Sequence, residues 1–113
     1  MAHWYAQLNL SQNFHTSHQW NSLVNGSGDW LDTAVADYSN DTFHTNGKNV
    51  VIDTNITCTK LMQDGSSGSI ILQSAGLVIR ADIEVCTVWS AVIIYEGTDV
   101  TIYGDVIANG CQN

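Results

Sequence analysis

Proline is absent from this sequence, and positive charge nearly so. Lys48, Lys60 and Arg80 are the only permanent cations against eleven Asp and Glu, for a net charge of −8. Nucleic-acid affinity depends on neutralising several phosphates at once, so this charge balance excludes that class of function. An anionic bilayer surface repels the chain for the same reason. Long apolar runs are missing too: the longest, at 88–95, is broken by Ser90 and falls far short of a bilayer span. The opening stretch MAHWYAQLNLSQNF has neither a basic lead nor a continuous apolar run, so it does not read as a secretory signal. Cysteine is limited to Cys58, Cys86 and Cys111, an odd set that cannot pair fully within one chain and excludes a disulfide scaffold. Charged residues make up 12% of the sequence, about half the usual ~25% share. The polar surface therefore has to come from Asn, Gln, Ser, Thr and Gly.

What is present is a 44% hydrophobic content rich in Ile, Val and Trp, which separates the chain from disordered acidic tails. Its 113 residues suit one structural unit. The composition divides it. Residues 1–41 hold Trp4, Trp20 and Trp30 and three of the four histidines, with no sustained apolar period. This segment reads as an irregular aromatic N-terminal cap, with short strands at 4–10 and 22–25, a turn at NGSG (25–28), and a helical turn or two at 29–36 begun by Asp29. Residues 42–113 form the repeat region. They read as strand after strand, at 50–52, 56–61, 69–72, 77–79, 83–85, 88–95, 100–103 and 106–108.

Three segments starting at residues 42, 69 and 92 align without gaps: TFHTNGKNVVIDTNI, SIILQSAGLVIRADI and VIIYEGTDVTIYGDV. Apolar residues coincide at Phe43/Ile70/Ile93, Val50/Leu77/Val100, Ile52/Ile79/Ile102 and Ile56/Ile83/Val106, with Asn55, Asp82 and Asp105 at a shared polar corner. An Asn or Asp there can bond its own backbone and make a tight bend. Inward apolar positions kept in register predict a coil of strands stacked rung on rung, with like residues ~4.8 Å apart. The expected fold is therefore all-β: a short parallel β-helix of about three rungs behind the aromatic cap. The alternative is an antiparallel β-sandwich or jelly roll, which the same alternation also suits.

The stretch GDWLDTAVADYSNDTFHTNGKNVVIDTNI, followed by repeated V-x-I strands, resembles the opening rungs of β-helical phage tail fibres and tailspike-like proteins. The resemblance covers roughly residues 28–107 and rests on patterns of residue type. It implies a virion appendage or other extracellular assembly, often trimeric, in which an aromatic segment caps the first rung and a phrase such as NGKNVVID, here residues 46–53, begins the coil.

A rung without a successor is a template for addition. Self-association is accordingly expected through the N-terminal tryptophans Trp4, Trp20 and Trp30 and the last strand, Val106, Ile107 and Ala108, as a homotrimer or a head-to-tail polymer. Other virion or surface proteins are further expected partners. Trp89, Tyr95 and Tyr103 are candidate glycan contacts, since outward rings on a sheet stack on sugar faces.

Catalysis is not expected. Asp53, Asp82, Glu84 and Asp105 are the acids that glycosidic cleavage would draw on, but few rungs leave little wall for a cleft. No G-x-S-x-G phrase exists, and GSSG at 65–68 lacks the Lys of a phosphate loop. His15 and His18, with His3 and His44 in reserve, are the nearest approach to a metal cluster. Their surroundings are not helical and no cysteine lies nearby, so they read as surface or packing residues, and no cofactor is expected. Cys58 and Cys86 are expected as buried hydrophobes in adjacent rungs, with a disulfide between them open in an oxidising medium and Cys111 available to link subunits. The single Thr57-Cys58-Thr59 reads as solvated strand.

Overall fold

A computed structural model describes residues 2–9, 19–31, 38–65, 68–86, 92–94 and 99–108. Its elements are all strands: β1 (His3–Ala6), β2 (Trp20–Asn21), β3 (Tyr38–His44), β4 (Val50–Ile52), β5 (Ile56–Gln63), β6 (Ile70–Leu72), β7 (Leu77–Val85), β8 (Val92–Ile94), β9 (Val100–Ile102) and β10 (Val106–Ala108). No helix occurs among the described residues. β1 and β2 are shorter than or displaced from the N-terminal strands expected at 4–10 and 22–25, where Ser22 to Gly26 form bends and a turn. Most of the expected helical segment, from residue 32 on, lies outside the described residues.

The strands make a mixed sheet of seven, in the order β10-β7-β5-β3-β1-β2 with β9 also on β7, and a sheet of three, β4-β6-β8. Every ladder is parallel except β1 with β2. A sandwich or jelly roll would have required antiparallel neighbours. β3 begins before residue 42, and β1 pairs with it, so the N-terminal segment contributes a strand to the same sheet as the repeats.

The register corrects the expected columns. Leu77 lies opposite Val100 and Ile79 opposite Ile102, and Val106 pairs with Ile83, as the second and third segments align. The first segment does not align with them as expected. Ile56 pairs with Ile79 rather than Ile83, Phe43 with Leu61, and Val50 with Ile70. Ile70 then pairs with Val92, one residue from the expected Ile93. The reason is that V-x-I triplets bounded by turns look alike in either sheet: Val50–Ile52 belongs to the small sheet and Leu77–Val85 to the large one.

Both sheets bury their apolar residues in one core, joining Phe43, Leu61, Ile79 and Ile83 to Val50, Ile52, Ile70 and Leu72. The corners between sheets use left-handed backbone. Asn46 and Gly47 have φ of 54° and 77°, and the Lys48 N–H donates to the Thr45 carbonyl at 3.0 Å, a tight turn that Asn-Gly favours. The corner amides and carboxylates bond to the backbone of the neighbouring segment rather than to their own. Asn55 Oδ1 accepts the Val78 N–H, Asp82 Oδ1 accepts the Asp105 N–H, and Asn49 Oδ1 accepts the Ser69 N–H. Asn9, from the N-terminal segment, does the same for Asn49. Backbone donors that leave the ladder at these bends are thereby satisfied, and the abundance of Asn in a chain poor in charged residues acquires a structural use.

Candidate functional site

Four features of the described surface bear on function. The first is the edge of the large sheet at β9 and β10. Among the described residues, no strand lies on the outer side of β9 or β10. Successive residues of a strand bond to opposite sides. The Asp105 carbonyl accepts from Ile83, so the amides of Val106 and Ala108 face away from β7, toward the uncovered side. All of β10 is exposed, with Val106 at 58%.

The three N-terminal tryptophans fare differently from one another. Trp20 is 2% exposed and packs edge-on against Phe43, with ring centres 5.0 Å apart. It belongs to the chain's own core. Trp4 is half-buried against that core. The β3–β5 register shifts between Tyr38 and Thr42, and within that stretch the Asp41 carboxylate accepts the Trp4 indole N–H at 3.2 Å and the Ala2 N–H at 3.3 Å. Trp30 alone of the three stays substantially exposed, at 40%.

A groove forms the second feature. Asn55, Ile56, Thr57, Val78 and Arg80 line an open cavity of about 340 Å³. Thr57 pairs with Arg80 across the β5–β7 ladder, and the Arg80 guanidinium lies over the Tyr103 ring at 4.4 Å. A hydroxyl, a guanidinium and an aromatic ring thus follow one another along this side of the molecule. Among the described residues Arg80 has no carboxylate partner, whereas Lys60 is paired with Glu84 at 3.0 Å. Trp89 and Tyr95, the other candidate glycan contacts, lie outside the described residues.

The third feature is a relay where β3 and β5 end side by side, at Asn46-Gly47 and Asp64-Gly65. The Asp64 carboxylate accepts the Asn46 N–H at 2.9 Å through Oδ1, and through Oδ2 it meets His44 Nδ1 at 2.6 Å. His44 is buried, stacked on Tyr5 at 4.3 Å between ring centres. Its Nε2 faces His3 Nδ1 at 2.8 Å. An ionised carboxylate only accepts, so a neutral His44 bonded to Asp64 carries its proton on Nδ1 and turns the Nε2 lone pair toward His3. Such an array can pass a proton or ligate a cation. The sequence offers His3 and His44 only as reserves for His15 and His18, which lie outside the described residues, and gives Asp64 no role. The usable signal is the match of Asn46-Gly47 to Asp64-Gly65 as equivalent turns.

Cysteine chemistry is the fourth. Cys58 is a free, buried thiol whose Sγ reaches the Lys60 carbonyl at 3.7 Å, and burial pushes its pKa up to about 12. Cys86 is disulfide-bonded. The Cys58–Cys86 bridge that the sequence left open is therefore not formed: Cys58 lies against Tyr38 in the register, while the Cys86 N–H reaches the Gln63 carbonyl and Oε1. Cys111 lies outside the described residues.

Comparison with known proteins identifies no relative: no family profile, curated protein or solved structure matches the chain.

Proposed function

We propose that the chain is a short parallel β-helical unit that works as a structural, self-associating part of an extracellular assembly such as a phage appendage or filament. One observation carries this reading: the parallel ladders end at β9 and β10 with outward backbone groups and an apolar surface at Val106 and Ile107 that nothing described covers. The edge matches the edge that β7 offers β9, so a further strand of the same kind fits it. At the other end β2 already covers Tyr5 and Ala6. Association therefore runs through the last rung, with a second copy as the partner. Sedimentation equilibrium at micromolar concentration tests it. The parent chain forms trimers or larger species. Val106→Pro removes an outward N–H without touching the β7 ladder, and Ala108→Lys adds an edge charge. Both variants shift the chain toward monomer with an unchanged far-UV spectrum. Unchanged association in both overturns the reading.

A second reading, a carbohydrate-binding module, is favoured by the groove beside Tyr103. Among the described residues no carboxylate pairs with Arg80, whose N–H groups lie next to a hydroxyl and an aromatic ring, an arrangement that suits an acidic sugar. Binding of a uronic-acid oligosaccharide that weakens at least tenfold in Arg80→Ala supports this reading, and equal binding by the variant removes it.

A further inference from the structure

We propose that His3 and His44 form a binding site for a divalent transition-metal cation of the Zn²⁺ class. The cation is held by Nδ1 of His3 and Nε2 of His44, with Asp64 orienting His44 from behind. Three observations converge on it. The two ring nitrogens already face each other at 2.8 Å. Shared ligation of one tetrahedral ion at ~2.0–2.1 Å needs them roughly 0.5 Å further apart, and His3 is exposed and can move that far. In neutral His44 the 2.6 Å contact from Nδ1 to the acceptor Asp64 places the proton on Nδ1, the carboxylate–histidine pairing that supports metal-bound imidazoles elsewhere. Finally, the ring of His44 is fixed by stacking on Tyr5, and the parallel register places Tyr5 opposite His44 with His3 two residues earlier on the same face. The ligand therefore arrives at a site whose inner half is rigid and whose outer half is free to adjust.

His3 must carry its proton on Nε2 to ligate. At an exposed ring the tautomers exchange through water, so this needs no rearrangement of the fold. No group of three or more His, Cys, Asp or Glu gathers around a common point among the described residues. The site thus supplies two direct nitrogens, with water completing the shell, and imidazole donors select borderline cations over Mg²⁺ or Ca²⁺.

Titration of the full chain with Zn²⁺, followed by calorimetry and by the ring-nitrogen resonances of the histidines, tests the proposal. The expected result is saturable binding that shifts His3 Nδ1 and His44 Nε2, with no response to Mg²⁺. Affinity falls at least tenfold in His3→Gln, an exposed position whose change leaves the core intact, and ten- to a hundredfold in Asp64→Asn. Absence of Zn²⁺ binding at millimolar concentration, binding of undiminished strength in His3→Gln, or shifts confined to His15 and His18 overturns it.

Discussion

At the scale of single residues, burial decides the chemistry of Cys58. The thiol is held neutral to about 12, against an ordinary value of 9.0, mainly by desolvation. Above pH 9 the unfolded chain therefore binds fewer protons than the folded one, so folding stability falls as pH rises from about 9 toward 12. Denaturant titrations across that range show the decline, and Cys58→Ala shows a smaller one. The folded thiol also resists alkylation at pH 8 and reacts once the chain is unfolded. Gly65 makes the opposite point, that some positions tolerate no side chain. Its φ is +87°, and a Cβ there runs into the backbone of Asn46 and Gly47 on the neighbouring turn. Gly65→Ala is expected to cost roughly 1–3 kcal/mol in chemical denaturation, and it also shifts Asp64 and with it the hold on His44.

At the scale of elements, the bends are joined by side chains that reach from one rung to the backbone of the next. Asn55→Ala removes the acceptor for the Val78 N–H at 2.8 Å, next to the groove and at the start of β7. A loss of about 1 kcal/mol is expected, with faster amide exchange at Val78 as the local readout. Asn55→Asp keeps an acceptor and restores most of it.

The strands themselves were legible in sequence because β-branched triplets between Gly, Asn and Asp have few other uses. Their register was legible only in the later rungs. β9 and β10 each lie 23 residues after their partners in β7, the spacing that also separates Asn55 from Val78 and Asp82 from Asp105. The β4–β6 pairing is shorter, with Val50 and Ile70, like Asn49 and Ser69, separated by 20. The β3–β5 and β5–β7 ladders also carry bulges that change the count along a single pair of strands. A gap-free alignment cannot follow such changes, so it matched a triplet of one sheet to a triplet of the other. The His44–Asp64 contact was hidden for the same reason, since it exists only once β3 and β5 are in register. Trp20 shows a different limit: a tryptophan in a polar segment reads as an exposed anchor until Phe43 is seen to fill its neighbourhood.

On the scale of the whole molecule, a chain of net charge −8 that associates must bring like charges together. Screening reduces that repulsion, so the proposed assembly strengthens with salt between about 0.01 and 0.15 M, where the Debye length shrinks from about 30 to 8 Å. An interface built on ion pairs would weaken instead, which makes the sign of the salt effect a check on how copies meet.

Beneath assembly, groove and histidine site alike lies the parallel pairing of the strands. The backbone nuclear Overhauser pattern of the assigned chain reads it directly. The account predicts contacts along Ile56–Ile79–Ile102 and Val50–Ile70–Val92, with no short Hα–Hα distances between those strands. Strong Hα–Hα contacts linking β3 to β4 or β5 to β6 as hairpins would contradict it.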